Sequence, residues 1–212
     1  MTLLLDLDGT LIDSMPGIRA SCLAALDALG HVPDPATDFR GLVGPPLPEV
    51  MRRLLRPYGD DRIDLAVTAY RAHYGESGMY LAAVYPGVAE ALERLHRRGK
   101  RMFVATSKRA LFATPIVHRL GLAAWLNGVY GTEPDGSLDH KADLIAALLR
   151  VERLPADSVV MIGDRSHDIA GARTNGVRAV GVLWGYGSRA ELQAAGADAL
   201  LGHPTELADV TA

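Results

Sequence analysis

The chain has 212 residues, of which 49% are hydrophobic, and a formal net charge of −3. That length can bury one substantial core, or a core with a smaller domain beside it, and the near-neutral charge leaves no electrostatic footprint for nucleic acid. Its single cysteine, Cys22, excludes an internal disulfide. No apolar run reaches membrane-spanning length and no basic-flanked leader precedes the first strand, so a cytoplasmic protein is expected.

Leu3-Leu4-Leu5 reads as a buried strand running into Asp6-Leu7-Asp8-Gly9, where Asp-Gly marks a turn. Ser14 stands where it can cap a helix with Pro16 in its first turn and an end at Leu29-Gly30. Ile18, Cys22, Ala25, Leu26 and Leu29 share a face of that helix, which makes Cys22 a small apolar residue rather than a nucleophile. Pro33 and Pro35 break the pattern. Leu47, Val50, Met51, Leu54 and Leu55, then Ile63, Val67, Tyr70 and Tyr74, line two further helical faces. Tyr85-Pro86-Gly87 marks a return, and the next helix runs to Arg98-Gly99 with basic residues near its end. From Lys100 strands and helices alternate: a strand to Thr106, a helix to Leu120, a short strand near Val129, a helix from Lys141, a strand to Ile162, a helix to Asn175-Gly176 and a strand to Leu183. Ser188 and Glu191 form a capping box for the helix that follows. Such alternation predicts an α/β class, a parallel sheet covered on both faces, with residues 15–84 as an all-helical insert.

Polar groups stand at the ends of the apolar runs. Asp6 and Asp8, two positions apart, project to the same side of an extended backbone. Two acids at the exit of a buried strand are costly unless a cation or a reaction needs them. One acid could attack while the other moves a proton, with a divalent metal between the charges; an Asp-Gly turn with solvated acids is the competing reading. Thr106-Ser107-Lys108 ends a second run, Lys141 opens a helical segment, and Gly163-Asp164-Arg165-Ser166-His167-Asp168 follows a third run. Ligands of open parallel sheets bind beyond the carboxyl ends of the strands. Three of these stations therefore gather at one sheet edge, and Lys141 reaches in from a helix start.

In this order, Asp6-x-Asp8-Gly9-Thr10, Thr106, Lys141 and Gly163-Asp164-x-x-x-Asp168 resemble the four motifs of the haloacid dehalogenase-like hydrolases, over nearly the whole chain. Gly181-Val182-Leu183-Trp184-Gly185-Tyr186-Gly187-Ser188 and the Thr-Ser-Lys form of the second motif are similar to the phosphoglycolate-phosphatase-like group. The resemblance implies a Rossmann-like core of residues 1–14 and 85–212, with residues 15–84 as a cap hinged near Asp13-Ser14 and Pro86-Gly87; a fixed helical subdomain is the alternative. It implies a magnesium-dependent phosphatase in which Asp6 is the nucleophile, forming an aspartyl-phosphate, and Asp8 is acid and then base. Asp6, the Asp8 carbonyl and Asp164 would hold Mg²⁺. Thr106 and Lys141 would face the phosphoryl oxygens, and Asp168 would support the metal site or hold Lys141. Gly9, Ser107 and Lys108, with Arg40 and Gly44 from the insert, are the expected phosphate or substrate contacts.

Ser107 competes with Thr106 as phosphate donor, leaving Thr106 to cap the following helix, and a solvated lysine competes for Lys108. His140 and His167 read as loop and surface residues, Trp184 and Tyr186 as packing against the next helix. The acid at position 8 sets the chain apart from dehalogenases, whose leaving group needs no proton. An insert without lysine lacks the imine-forming group of phosphonate-cleaving relatives, and phosphomutases need a cap that holds a bisphosphate. The expected partner is a small phosphorylated metabolite, phosphoglycolate first and nucleoside monophosphates beside it, acted on by a monomer or homodimer; neither nucleic acid nor membrane is expected. A non-catalytic module that binds phosphate esters is the reading from another class. In the insert, Arg40 is the only cation of the Gly/Pro-punctuated loop Phe39–Leu47, and its guanidinium suits a two-point fork on a carboxylate; an exposed arginine at a loop edge is the competing reading.

Overall fold

Unbroken Leu and Val runs are stable as strands only where both faces of the sheet are covered. In the computed structural model, which describes residues 1–133, 135–136 and 138–210, six strands form one sheet, with such runs at its centre in Thr2–Leu5 and Val159–Gly163. The chain divides into two compact units, Met1–Asp13 with Val84–Ala212, and Ser14–Ala83.

The first unit holds the sheet. β1 (Thr2–Leu5) is central, and two-residue strands β2 (Ile12–Asp13) and β3 (Ala83–Val84) stand where the chain leaves this unit and returns. β4 (Arg101–Arg109), β5 (Gly128–Thr132), β6 (Val159–Gly163), β7 (Arg178–Val182) and β8 (Ala199–Leu201) complete the sheet in the order β5-β4-β1-β6-β7-β8, every pair parallel. This is the expected Rossmann-like α/β core. Leu3, Leu4 and Leu5 are all fully buried although they alternate between faces, so both sides of β1 are covered. On the Leu4 side, Phe103, Ala105, Met161 and Ala179 pack with Leu144, Ile145 and Leu148 of α6 (Lys141–Val151), Ile169 of α7 (Ser166–Thr174) and Leu192 of α8 (Arg189–Ala194). Helices α4 (Val88–Arg97) and α5 (Ala110–Arg119) bury Leu92 and Leu95, and Ile116 and Val117.

Register decides where the site lies. Leu5 pairs with Val104 on one side and Ile162 on the other, so the residues that follow each of them, Asp6, Ala105 and Gly163, stand level. Asp6 continues the ladder by donating its N–H to Ile162 O at 2.9 Å. Strand order also reverses about β1, the place where open α/β sheets bind ligands.

Three details differ from the sequence reading. β4 runs on to Arg109, three residues past Thr106, through an irregularity in its pairing with β5 between Ala105 and Arg109. β8 is a further strand, whose three residues are too few to show periodicity. The Ser188–Glu191 capping box is half present: Ser188 Oγ accepts from Glu191 N at 3.1 Å, but the Glu191 carboxylate is used elsewhere.

The second unit is helical. α1 (Met15–Ala28), α2 (Leu47–Leu55) and α3 (Ile63–Glu76) bury Cys22 and Leu26, Met51 and Leu55, and Val67 and Tyr74. Ser14 sits at the start of α1 but makes no side-chain cap, and proline in the first turn removes one donor that a cap would have served. Burial pushes the Cys22 thiol up to about 12, so it is inert as a nucleophile. No helix among the described residues is long and apolar enough to cross a membrane.

Candidate active site

The turn after β1 is built by its own backbone. Leu7 O accepts from Leu11 N and Ile12 N, both at 3.0 Å, and Gly9 N donates to Ile12 O at 2.8 Å. Gly9 has φ +82°, and a Cβ there would run into the Asp164 carboxylate. Glycine is therefore required for room as well as conformation, and its N–H is already engaged inside the turn.

Asp6, leaving β1, is 8% exposed and meets Lys141, the first residue of α6. The buried Lys141 ammonium donates to Asp6 Oδ1 and to Ala105 O, each at 2.9 Å, and lies 2.7 Å from Asp168 Oδ1. The ammonium thus makes two hydrogen bonds and a third, purely ionic contact with Asp168. Asp168 gives its other oxygen to Arg165 N at 3.1 Å. Asp168 thus touches Lys141 and the start of α7, and an oxygen of it also lies among those of Asp6 and Asp164.

Asp8 faces a different lysine. Lys108 Nζ lies 2.9 Å from Asp8 Oδ1, with the two side chains 8% and 13% exposed. Lys108 is thus neither a solvated lysine nor separate from the first motif. Thr106 Oγ1 accepts from Lys108 N at 3.2 Å and is buried. It braces the irregular end of β4 that carries Lys108 rather than capping α5, whose cap position is Arg109. Ser107 follows Thr106 inside β4, in the stretch where its pairing with β5 is irregular, and is partly exposed.

Asp164, at the exit of β6, is fully buried. Its Oδ2 accepts from Tyr186 N at 2.7 Å, while Oδ1 has no hydrogen-bond partner among the described residues. Oxygens of Asp6, Asp164 and Asp168 lie within 4.8 Å of one another. Burial pushes the Asp6 carboxyl up to about 7, against the pull of the Lys141 ammonium. Burial, reinforced by the charges of Asp168 and Asp6, puts Asp164 well above the ordinary carboxylate range. Burial works against the Lys141 ammonium, yet Asp168 and Asp6 outweigh it and raise its pKa. Three buried acids, two of them with an oxygen that has no hydrogen-bond partner among the described residues and only that of Asp168 ion-paired to Lys141, fit a small hard divalent cation bound through oxygen.

A stability prediction follows. In the metal-free protein the folded state keeps the Asp6 proton up to about pH 7, whereas the unfolded chain loses it near the ordinary aspartate value of 3.8. Between those limits the folded state binds more protons, so stability falls as pH rises, and the Asp164 shift has the same sign. The Tm of protein stripped with chelator is expected to fall between about pH 5 and about pH 8. Mg²⁺ should raise it more at the higher pH, because protons compete for the same oxygens. A Tm that rises over this range would show that the acids are paired without a metal.

Arg40 and Gly44 belong to the helical unit. Arg40 is exposed at the start of a 3₁₀ turn, Arg40–Leu42, and its backbone N–H donates to Asp38 Oδ1 at 3.0 Å. Gly44 has φ +119°. His140 and His167 are exposed, as expected.

Sequence reasoning missed two supports. Glu191 Oε1 accepts from Ser166 N at 2.8 Å and Arg165 Nε at 2.9 Å, bracing the turn that carries Asp164 and Asp168. Trp184 and Tyr186, expected to pack on the next helix, instead bond to the first-motif turn: Trp184 Nε1 donates to Thr10 O at 3.0 Å, and Tyr186 OH to Asp13 Oδ1 at 2.9 Å. The available signal was two aromatic residues with polar ends among glycines at a strand exit.

Residues 3–182 match the family model of the haloacid dehalogenase-like hydrolases. The chain belongs to this family. It is 41% identical over 194 residues, 91% of this chain and 86% of the relative, to a 5'-nucleotidase of Pseudomonas aeruginosa. A phosphoglycolate phosphatase of Cupriavidus necator is 30% identical over 201 residues, 93% of this chain and 87% of that protein. The crystal structure of a predicted phosphatase from Clostridium acetobutylicum superposes with a TM-score of 0.90 at 33% identity, covering 98% of this chain and 96% of that one. Within the family the chain sits in the phosphoglycolate-phosphatase-like group, and it is an enzyme, a phosphoric monoester hydrolase.

Proposed function

We propose that this haloacid dehalogenase-like hydrolase is a magnesium-dependent phosphatase of small metabolites that works through a phosphorylated Asp6, with the helical unit as its cap. The observation that carries the reading is Asp6 at the end of β1, held by Lys141 beside an Asp164 oxygen with no hydrogen-bond partner among the described residues. Asp6, the Asp8 carbonyl and Asp164 would hold Mg²⁺, which when bound offsets phosphoryl charge. An Asp6 carboxylate oxygen attacks phosphorus, and the ester P–O bond breaks as Asp8 gives its proton to the leaving oxygen. Asp8 then takes a proton from water, whose oxygen attacks phosphorus and releases inorganic phosphate from Asp6. Lys141 fixes the direction of the nucleophile and lends positive charge where it develops, and Thr106, Ser107 and Lys108 face the same strand exit.

The 41% identity to a protein named for 5'-nucleotide hydrolysis supports nucleoside 5'-monophosphates as the first substrates to test. Phosphoglycolate is the second reading, supported by the Cupriavidus relative. The test is turnover of a panel holding both, with p-nitrophenyl phosphate, in chelator and in Mg²⁺. Hydrolysis is expected only with metal. Folded protein that turns over no monoester at any pH would support a binding module instead.

If Arg40 reads a substrate carboxylate, Arg40→Ala lowers kcat/KM for phosphoglycolate about tenfold, equal to about 1.4 kcal/mol, and spares p-nitrophenyl phosphate. Equal losses on both substrates would remove Arg40 from recognition.

A further inference from the structure

The loop after β7 touches the metal-site carboxylate and the first-motif turn at once. Tyr186 N donates to Asp164 Oδ2 at 2.7 Å, leaving Oδ1 as the carboxylate oxygen without a hydrogen-bond partner. One backbone N–H thus selects which oxygen of Asp164 is left to meet a cation. The loop carrying that N–H is pinned on both sides. Trp184 Nε1 bonds to Thr10 O at 3.0 Å, and the Tyr186 hydroxyl bonds to Asp13 Oδ1 at 2.9 Å. Gly185 and Gly187 lie so close that a Cβ on the first would strike Gly9 O and the Asp164 side chain, and one on the second would strike Asp164 O. Asp164 is therefore held from two directions: its own strand exit, braced by Glu191, and the 184–187 loop, tied to the turn that bears Asp6 and Asp8.

We propose that Trp184 and Tyr186 are positioning residues for the metal site, with the Tyr186–Asp13 and Trp184–Thr10 hydrogen bonds holding the 184–187 loop so that the Tyr186 N–H aims Asp164. The inference rests on the reading of Asp6 and Asp164 as Mg²⁺ ligands and adds the residues that orient one of them. A carboxylate ligand whose outer hydrogen bond is misplaced binds metal more weakly even though no ligand has been removed. The chemistry of Asp6 and Asp8 is untouched, so the effect falls on the metal requirement rather than on the rate once metal is bound.

The test is Mg²⁺ titration of the metal-free full chain by calorimetry, beside activity at varied Mg²⁺. Tyr186→Phe, which removes only the hydroxyl, is expected to weaken Mg²⁺ binding about tenfold, at the lower end of losses from the outer partners of metal ligands. At saturating Mg²⁺ its kcat should stay within about threefold of wild type and its substrate KM should not move; a merely structural role would not separate these quantities. Asp13→Asn keeps an acceptor oxygen for the hydroxyl and should bind Mg²⁺ as wild type does. Trp184→Phe removes the other tie and should also weaken the metal; it decides the matter if Tyr186→Phe does not fold. Mg²⁺ affinities of the folded variants within twofold of wild type overturn this inference alone. Wild-type protein that binds no Mg²⁺ overturns the reading of the metal ligands and this inference with it.

Discussion

Asp6→Asn is expected to abolish turnover, lowering kcat by roughly 10⁴-fold or more, as removal of the nucleophile does in covalent mechanisms. Acid quenching of wild type with a ³²P-labelled monoester should leave label on Asp6, and the variant should carry none. Label on any other residue would overturn the assignment. The same substitution has a second, opposite consequence. Wild type buries three carboxylates around one ammonium, and burial already pushes Asp6 up to about 7. An asparagine is neutral and still offers an oxygen to Lys141, which also keeps Asp168 and Ala105 O. Without metal, near pH 8, the variant should therefore melt a few degrees above wild type, while Mg²⁺ stabilises it less. Gain of stability with loss of function is the trade expected where a site stores unfavourable charge.

Lys141→Met has the largest expected effect on stability. It removes the shared partner of Asp6 and Asp168, which are 8% and 1% exposed. Breaking a buried ion pair from one side costs about 3–5 kcal/mol, which in a chain of this size lowers Tm by roughly 6–20 °C. Loss of a charge aimed at the phosphoryl group should also lower kcat by about 10²–10³-fold. Arginine should not rescue either loss, because a planar guanidinium cannot point donors at three acceptors gathered around one nitrogen. Differential scanning calorimetry and steady-state rates, both at saturating Mg²⁺ and in chelator, check the pair. A Tm within about 2 °C of wild type in chelator would mean that the acids are solvated and that Lys141 does not hold the centre together.

Some of this was legible in the residues alone. Uninterrupted apolar runs such as Leu3–Leu5 and Val159–Ile162 can persist only as covered strands, and the acids that follow them gather at one sheet edge, because parallel strands in this register bring their next residues together. Lys141 was identifiable for the same kind of reason, as a cation at the start of an apolar-faced helix. The class of the fold, the family and the sheet edge at which these acids gather were thus determined by the sequence itself.

What each polar atom faces was decided only by tertiary structure. Lys108 and Lys141 both carry long flexible stems, and no local rule says that one reaches Asp8 and the other Asp6, 135 positions away. The partners of Asp168 were open until both of its oxygens were located, one on Lys141 and one on Arg165 N. Glu191 reads locally as the closing half of a capping box, yet its carboxylate serves the turn before α7, where two donors outcompete the single backbone N–H of its own cap. Tyr186 contributes to Asp164 through its backbone, which carries no side-chain signature at all. β8 is too short to have a period, and it forms because the edge of β7 supplies hydrogen-bond partners for Ala199–Leu201. Periodicity reports which face of an element is buried, and that is a local property; the partner of a buried polar group depends on which distant segments the packed sheet and helices bring within 3 Å, and that exists only in the folded chain.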